Sequence, residues 1–229
     1  MKTTIYEEHE FAAVSSNRSI AASLRSSFPE LGRDEFASLR YLPSPIDDRV
    51  WKLGRLVVPY GDANPVWQAD APVSIYTNDM QDAEARRAIA ALALPADERI
   101  VVGLDQPSVT LELRYGRLLE LLPLGAWIAS AMDASWMLYW HHGEFAVLVR
   151  PRFDGVKAIE FSESFRTCRG EVVPKAQYRI IRADAGEWWS GALRDDKSRE
   201  AMRGFVELLA RLSGARIRLV DCFDEQSKR

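Results

Sequence analysis

Residues 136–161, WMLYWHHGEFAVLVRPRFDGVKAIEF, constrain the fold more than any other part of this sequence. They read as consecutive antiparallel strands, with a two-residue type I′ turn at His142 and Gly143, because glycine accepts a positive φ without steric cost. This turn sets Trp140 opposite Phe145 and puts apolar side chains on both faces of the hairpin. A strand pair that is apolar on both faces belongs inside a sheet that is covered above and below. We therefore predict that this hairpin lies in the interior of a sheet.

The composition is that of a folded, acidic globular protein. Of the 229 residues, 47% are hydrophobic and 28% are charged, which excludes an intrinsically disordered chain. A chain of this length can bury a full core, so we expect a single domain over residues 1–229, with residues 1–60 as a candidate N-terminal lobe, residues 61–72 as a loop and residues 73–229 as the main body. The net charge of −3 disfavours nucleic acid as a partner, because it provides no overall positive field.

Three features of the sequence predict a cytoplasmic protein without a membrane anchor. The first residues carry several glutamates and no apolar stretch of the kind found in secretory signals. No segment approaches the roughly 18 to 20 apolar residues that a membrane-spanning helix needs. The two cysteines, Cys168 and Cys222, are too far apart in sequence for a paired motif, which is typical of proteins in a reducing compartment.

Periodicity and turn residues predict a mixture of helices and strands. Helices are expected at residues 15–27, 33–40, 79–93, 123–132 and 198–213, the last being an amphipathic C-terminal helix that Gly214 ends. Strands are expected at residues 51–58, 73–76, 100–104, 109–115, 156–161, 177–182 and 215–223, and residues 118–122 fit either a strand or a helix. The predicted fold class is α+β, a mainly antiparallel sheet of about six to nine strands with helices packed on it.

No motif whose spacing is dictated by catalytic or cofactor chemistry is present in the sequence. Glycine-rich phosphate loops, nucleophile elbows and paired histidine or cysteine motifs are all missing, so we predict neither a cofactor nor a metal site. The predicted hairpin register sets His141 opposite Glu144, a pair that a general base could use, although a surface ion pair is the simpler interpretation. Cys168 is a second weak catalytic candidate, because Arg166 and Arg169 flank it and cations can activate a thiol. An incidental thiol is the simpler interpretation here.

Scattered charged side chains support an enzyme as the alternative. Metal-dependent nucleases place carboxylates and a lysine along a hairpin, and the chain offers such groups at Asp105, Glu112, Asp154, Lys157 and Glu160. Strand alternation puts Lys157 and Glu160 on opposite faces, so solvated charges are favoured over an active site.

The tandem Trp188 and Trp189 are the best candidates for a partner-binding site. Tryptophan joins a large apolar ring to a polar N–H and is enriched at the energetic centres of interfaces. A core plug at the entry of the C-terminal helix is nevertheless the favoured interpretation of these two rings. Positive charge that could meet an anionic surface or ligand is concentrated nearby in the sequence, at Arg150, Arg152, Arg166 and Arg169.

The lack of a catalytic signature favours a non-enzymatic, cytosolic binding or regulatory protein that recognises a macromolecular partner, in the simplest case another protein. A toxin-neutralising protein of the immunity type is the concrete form of this hypothesis, and it rests on analogy of class. The alternatives are a hydrolytic or nucleic-acid-processing enzyme that uses His141, Glu144 and nearby carboxylates, and a small-ligand sensor with a tryptophan-lined pocket.

Overall fold

The computed structural model describes the chain in segments: residues 3–27, 29, 32–43, 48–57, 73–76, 90, 93–105, 107–118, 126–141, 145–183, 187–191 and 196–224. These residues belong to two compact units, one within residues 2–151 and the other within residues 152–229. The division falls between two consecutive residues of the segment that follows the central hairpin.

The described helices of the first unit are short. They are α1 (Arg18–Ser27), α2 (Arg33–Ser38), α3 (Arg49–Val57) and α4 (Tyr115–Leu118), with 3₁₀ turns at Glu8–Glu10 and Val14–Ser16. The predicted helix at residues 15–27 is confirmed over residues 18–27, and its N-cap is Asn17. The Asn17 side-chain oxygen accepts hydrogen bonds from the N–H groups of Ser19 and Ile20, at 3.1 and 3.2 Å, and so satisfies two donors that the helix leaves without partners.

The described strands form two mainly antiparallel sheets, which confirms the predicted α+β class. The large sheet has the order β1-β2-β5-β4-β6-β7-β8-β3. Its strands are β1 (Ala12–Ala13), β2 (Arg40–Tyr41), β3 (Val73–Tyr76), β4 (Arg99–Leu104), β5 (Val109–Arg114), β6 (Trp127–Ala131), β7 (Met137–His141) and β8 (Phe145–Val149). The small sheet belongs to the second unit, and its order is β11-β10-β9-β12.

The hairpin of β7 and β8 lies in the interior of the large sheet, as predicted. β7 is hydrogen-bonded to β6 and β8, and β8 is bonded to β7 and β3. Residues 137–140 and 146–149 cover both faces of the hairpin, and none of them is more than 7% exposed. The burial of both faces explains why these strands read as continuous apolar runs without alternation.

The register of this hairpin differs from the predicted one. His141 pairs with Phe145, so three residues, 142–144, connect the strands instead of two. The prediction that Trp140 faces Phe145 is therefore wrong by one position, and the partner of His141 is not Glu144. Both faces are apolar, so a slip of one residue exchanges one set of apolar side chains for another. The pattern of apolar residues is therefore compatible with both registers and does not predict which one forms.

The strand predicted at residues 51–58 is wrong, because this segment forms helix α3. Its buried apolar residues recur at intervals of one, three and four, as expected for the covered face of a helix: Val50, Leu53, Leu56 and Val57. The N–H of Lys52 donates to the carbonyl of Asp48 at 2.9 Å and closes the first turn. Within the eight residues 51–58, a helical period and the alternation of a strand give similar patterns of apolar residues.

Two glycines let α3 lie close against the large sheet. A methyl group added at Gly54 in α3 would overlap the end of Ile128 in β6, and one added at Gly103 in β4 would fall 2.5 Å from Nε1 of Trp51. Trp51 in turn meets Tyr139 edge to face, with ring centroids 6.2 Å apart. The helix and the sheet are therefore fitted to each other at two separate points.

Further predicted elements have mixed outcomes. The helix predicted at residues 123–132 is wrong in its described part, because residues 127–131 are β6, whose backbone bonds to β4 and β7 outweigh local helix signals. The strand at residues 109–115 is confirmed apart from its last residue, but Glu112 is only 7% exposed, so this strand is buried on both faces. The helix predicted at residues 79–93 lies outside the described residues except at 90 and 93.

The second unit combines a strand meander with the C-terminal helix. Its elements are β9 (Val156–Arg166), β10 (Val172–Arg182), β11 (Glu187–Gly191), α5 (Asp196–Ser213), β12 (Arg216–Leu219) and β13 (Phe223–Asp224). The predicted C-terminal helix is confirmed, and Gly214 ends it with a positive φ of 69°. The strand predicted at residues 215–223 is divided into β12 and β13, which both pair with β9 in parallel.

Helix α5 packs on one face of the small sheet. Phe205 of α5 meets Tyr178 of β10 edge to face, with ring centroids 5.9 Å apart. Leu208, Leu209 and Met202 complete the buried stripe of the helix, and none of them is more than 3% exposed. The spacing of this stripe is what made the helix predictable from the sequence.

Two helical glycines provide a matched test of the close packing of α3. We expect Gly54→Ala to destabilise the protein by about 1 to 3 kcal/mol, because the new methyl group must displace Ile128 in a packed core. Gly204→Ala in α5 meets no atom within 4 Å and should stabilise the protein by about 0.5 to 1 kcal/mol through helix propensity. Denaturant unfolding of both variants measures the two effects. Equal effects of the same sign would contradict the packing described here.

Stability at alkaline pH should report on Tyr115. Burial raises the pKa of Tyr115 to about 12 from its ordinary value of 10.0. The folded state therefore holds the phenol proton more tightly than the unfolded state, and this stabilisation is lost as the pH rises from 10 towards 12. We expect the free energy of unfolding to fall by about 2 to 3 kcal/mol more in the wild type than in Tyr115→Phe over this interval. Parallel pH profiles of the two proteins would contradict this assignment.

Candidate functional site

A groove of about 700 Å³ runs between α5 and the edge strand β12 of the second unit. We call it the α5–β12 groove. Phe161 of β9 forms its floor, Val206 of α5 one wall, and Ile217 and Leu219 of β12 the other. The volume falls within the roughly 300 to 1,000 Å³ range that is typical of ligand sites.

The outer wall of the α5–β12 groove exposes large apolar side chains to solvent. Phe161 and Val206 are 2% and 1% exposed, whereas Ile217 is 38% and Leu219 is 81% exposed. Burial of a leucine side chain stabilises a fold by about 1.5 to 3 kcal/mol. Leu219 is mostly exposed, so it contributes little of this stabilisation. Exposed apolar surface that borders a groove among polar groups makes this a candidate interaction site.

The end of β12 is held to β9 by hydrogen bonds. The N–H of Val220 donates to the carbonyl of Phe161 at 3.0 Å. The hydroxyl of Ser162 lies 3.2 Å from the carbonyl oxygen of Asp221 and accepts the N–H of Ser164 at 3.1 Å. These bonds orient the backbone beside Leu219, so the exposed wall belongs to an ordered strand.

The rim of the groove is acidic. Glu163 is ion-paired with Arg203 of α5. Glu207 and Asp221 also line the groove, both are exposed, and neither has an ion-pair partner among the described residues. Three carboxylates against one guanidinium leave a net negative rim, which would complement a basic group placed beside an apolar one.

The predicted catalytic pair does not assemble in the described part of the chain. His141 is half-buried at the end of β7 and pairs with Phe145, while Glu144 lies outside the described residues. Glu112 is on β5, and β4 and β6 lie between β5 and β7, which puts Glu112 and His141 on strands roughly 14 Å apart. No carboxylate from β5 can therefore act directly on the His141 ring.

Two of the carboxylates considered for catalysis are engaged by arginines. Glu112 accepts a hydrogen bond from Nε of Arg99 at 2.7 Å and lies 2.9 Å from a guanidinium nitrogen of Arg40. The bond to Glu112 raises the pKa of Arg99 above its ordinary value. In the small sheet, Glu160 accepts a hydrogen bond from Nε of Arg179 at 2.9 Å. Both carboxylates have structural roles as ion-pair partners.

Cys168 lies exposed in the turn between β9 and β10. This turn is closed by the N–H of Thr167, which donates to the carbonyl of Glu171 at 2.9 Å. Residues 152–229 contain no histidine, so the unit that carries Cys168 supplies no imidazole base for it. Among the described residues, no three histidine, cysteine, aspartate or glutamate side chains cluster closely enough to hold a metal ion.

The predicted binding residues occupy several separate positions. Trp188 and Trp189 belong to β11, where they pair with Ile180 and Arg179 of β10, and their side chains lie outside the described residues. Their role as binding residues stays a prediction. The tandem tryptophans were recognisable in the sequence, but no pattern around them indicated that they lie in a strand.

The arginines grouped in the sequence are spread out in the structure. Arg152 precedes β9, while Arg166 ends it and Arg169 follows in the turn. The 11 residues of β9 separate its two ends by roughly 33 Å. Arg166 also forms an ion pair with Asp224, with 3.1 Å between the charged atoms. Arg150 is exposed and belongs to the other unit. The second unit therefore carries these charges at two places instead of one patch.

Tryptophans of the first unit provide a weaker candidate for a small-ligand pocket. A pocket of about 230 Å³ is lined by Trp51, Asp48 and Tyr41, and its volume lies below the roughly 300 Å³ at which ligand sites begin. Elsewhere in the large sheet, Trp127 and Trp140 stack with centroids 5.9 Å apart, and their buried indole N–H groups find no acceptor in the described part of the unit. Neither of these two tryptophans lines the pocket.

The comparisons with known proteins identify no relative: no family model, no curated protein and no solved structure matches this chain. None of the described helices combines the length and the apolar composition needed to cross a bilayer. The α5–β12 groove was missed by the sequence reasoning. The sequence feature that corresponds to the groove is the alternation Arg-Ile-Arg-Leu at residues 216–219. The same alternation is equally typical of a strand whose apolar face is covered by the rest of the protein.

The structural role of Glu112 can be tested by a matched pair of substitutions. We expect Glu112→Ala to destabilise the protein by about 1 to 3 kcal/mol, because a buried carboxylate that joins two arginines is lost. Glu163→Ala removes an exposed pair and should cost less than about 1 kcal/mol. Denaturant unfolding at low and high salt measures both changes. An equal cost for the two variants would contradict the role assigned to Glu112.

Proposed function

We propose that this chain is a non-enzymatic binding protein that recognises another protein through the α5–β12 groove. The observation that carries the proposal is the 81% exposure of Leu219 beside an apolar groove of about 700 Å³. Aliphatic side chains on an ordered strand provide a binding surface that needs little reorganisation when a partner docks.

The occupant that fits this groove is a protein segment with an apolar side chain next to a basic one. The apolar group would cover Leu219 and Phe161, and the basic group would meet Glu207 and Asp221 on the rim. The acidic rim and the net charge of −3 disfavour a nucleic-acid partner, because phosphate groups would be repelled.

Neutralisation of a toxin by an immunity-type protein in the cytoplasm is the concrete form of this proposal. In that role the groove would hold a segment of the toxin and the bound protein would block its action. Support for it comes from class analogy and from the exposed apolar wall of the groove.

The enzyme alternative has less support. Glu112 and Glu160 are held by arginines, and Cys168 has no histidine in its own unit. An active site needs groups within hydrogen-bond reach of one another, and the candidates Glu112 and His141 lie on strands roughly 14 Å apart.

A single charged substitution tests the proposed function. The wild type, used as an affinity bait on an extract of its source cells, should retain one partner in stoichiometric amount, which is then purified. We expect Leu219→Asp to weaken binding to the purified partner by about 2 kcal/mol or more, roughly thirtyfold, because it places a charge in the apolar contact. Titration calorimetry measures the affinities.

Val172→Asp is the matched control for this experiment. Val172 is also an exposed apolar residue of the small sheet, at 56%, but it does not line the groove, so its variant should bind like the wild type. Circular dichroism checks that both variants are folded. Equal affinities of Leu219→Asp and Val172→Asp, or the lack of any stoichiometric partner, would contradict the proposal.

A further inference from the structure

The outer edge of β12 has no strand beside it in the part of the chain that the structure describes. Among the described strands, β12 pairs with β9 alone, and all four of its residues are exposed. The N–H of Val220 points towards β9, where it donates to Phe161. Successive N–H groups of a strand point in opposite directions, so those of Leu219 and Ile217 point away from β9, towards the open edge. An extended segment beside β12 would find these groups available.

The two faces of β12 differ in chemistry. Ile217 and Leu219 line the α5–β12 groove, and alternation places Arg216 and Arg218 on the opposite face. On that face the cross-strand neighbour of Arg218 is Glu160, which Arg179 already engages. Neither Arg216 nor Arg218 has an ion-pair partner in the parts of the unit that the structure describes. This face therefore carries uncompensated positive charge.

The β12 strand of a second copy of this chain does not fit the open edge. In an antiparallel pair of two β12 strands, opposite residues share a face. Pairing of Ile217 with Ile217 or Leu219 of the second copy sets arginine against arginine on the other face. A shift by one residue places Arg218 beside an apolar side chain. Parallel pairing gives the same two outcomes, and like charges directly opposite each other are destabilising.

We infer that the partner contributes an extended strand that adds to the edge of β12, with apolar side chains on the groove face alternating with acidic side chains that meet Arg216 and Arg218. This inference rests on the proposed protein-binding function and names the recognition mode of the same site. Backbone hydrogen bonds would supply affinity and the alternating side chains would supply selectivity, as in other cases of strand addition.

Synthetic peptides test the pattern directly. The probe is a short fluorescein-labelled peptide in which leucine alternates with glutamate, with a lysine at each end for the acidic rim. One control has the same composition with its leucines and glutamates in two blocks, and another has lysine in place of glutamate. We expect the alternating leucine–glutamate peptide to bind the wild type at least about tenfold more tightly than either control, measured by fluorescence anisotropy. Equal affinities would overturn the inference.

Backbone pairing is tested with the wild-type protein alone. N-methylation of every second residue of the probe removes either the N–H groups that face β12 or those that face solvent. Strand addition requires one methylated series to lose binding about tenfold or more while the other keeps it. Equal losses in both series, or no loss in either, would overturn the inference without any variant of the protein.

Charge reversal tests the role of the two arginines. Arg216→Glu combined with Arg218→Glu should transfer the preference from the leucine–glutamate to the leucine–lysine peptide, because the repulsive pair becomes the attractive one. An unchanged preference in the folded double variant would overturn the assignment of acidic partners. If the peptides fail to discriminate while Leu219→Asp still loses the purified partner, the strand mode is wrong and the protein-binding function stands. If Leu219→Asp also binds normally, both are wrong.

Discussion

Among the described strands, β12 is hydrogen-bonded to β9 alone, and the candidate site depends on this one-sided pairing. The bond from the N–H of Val220 to Phe161 determines which backbone groups face β9 and which face the open edge. It also determines which side chains line the groove, because backbone direction and side-chain direction are coupled in a strand. The exposure of Leu219, the acidic rim and the open edge are consequences of this arrangement. Edge strands are usually short, charged or covered, and β12 is short and charged on one face but leaves its other face apolar.

Charges in the small sheet are distributed so that each face of β12 has its own sign. The groove face has carboxylates at its rim, while the opposite face has two arginines and one carboxylate that a third arginine already holds. A partner strand that satisfied both faces would need a defined alternation of side chains, so its register would be specified along with its identity. An apolar patch without charges would select its partners much less strictly. The same reasoning explains why pairing of this edge with the β12 strand of a second copy is disfavoured.

Much of the fold was accessible from the sequence, and the errors have physical causes. The interior hairpin, the C-terminal helix and the strands at residues 73–76 and 156–161 were correctly placed, because their periodicity and turn residues agree. The hairpin register was wrong by one residue because both of its faces are apolar and a shift changes nothing in the pattern. The strand prediction for residues 51–58 was wrong because the buried positions show their helical period only when Val50 is included. The sites were harder to predict, since two of the carboxylates that suggested catalysis, Glu112 and Glu160, are partners of Arg99 and Arg179 from neighbouring strands.

The sequence by itself determined the fold class, the C-terminal amphipathic helix and the apolar interior of the large sheet, because these follow from local periodicity and from the burial it demands. Only the tertiary structure decided that β12 lies at an edge, that Leu219 stays exposed and that Glu112 is neutralised by arginines distant in sequence. The Arg-Ile-Arg-Leu segment carries the same alternation whether its apolar face is covered or open. What covers a face depends on strand order and helix placement, which are properties of the whole chain and not of any local pattern.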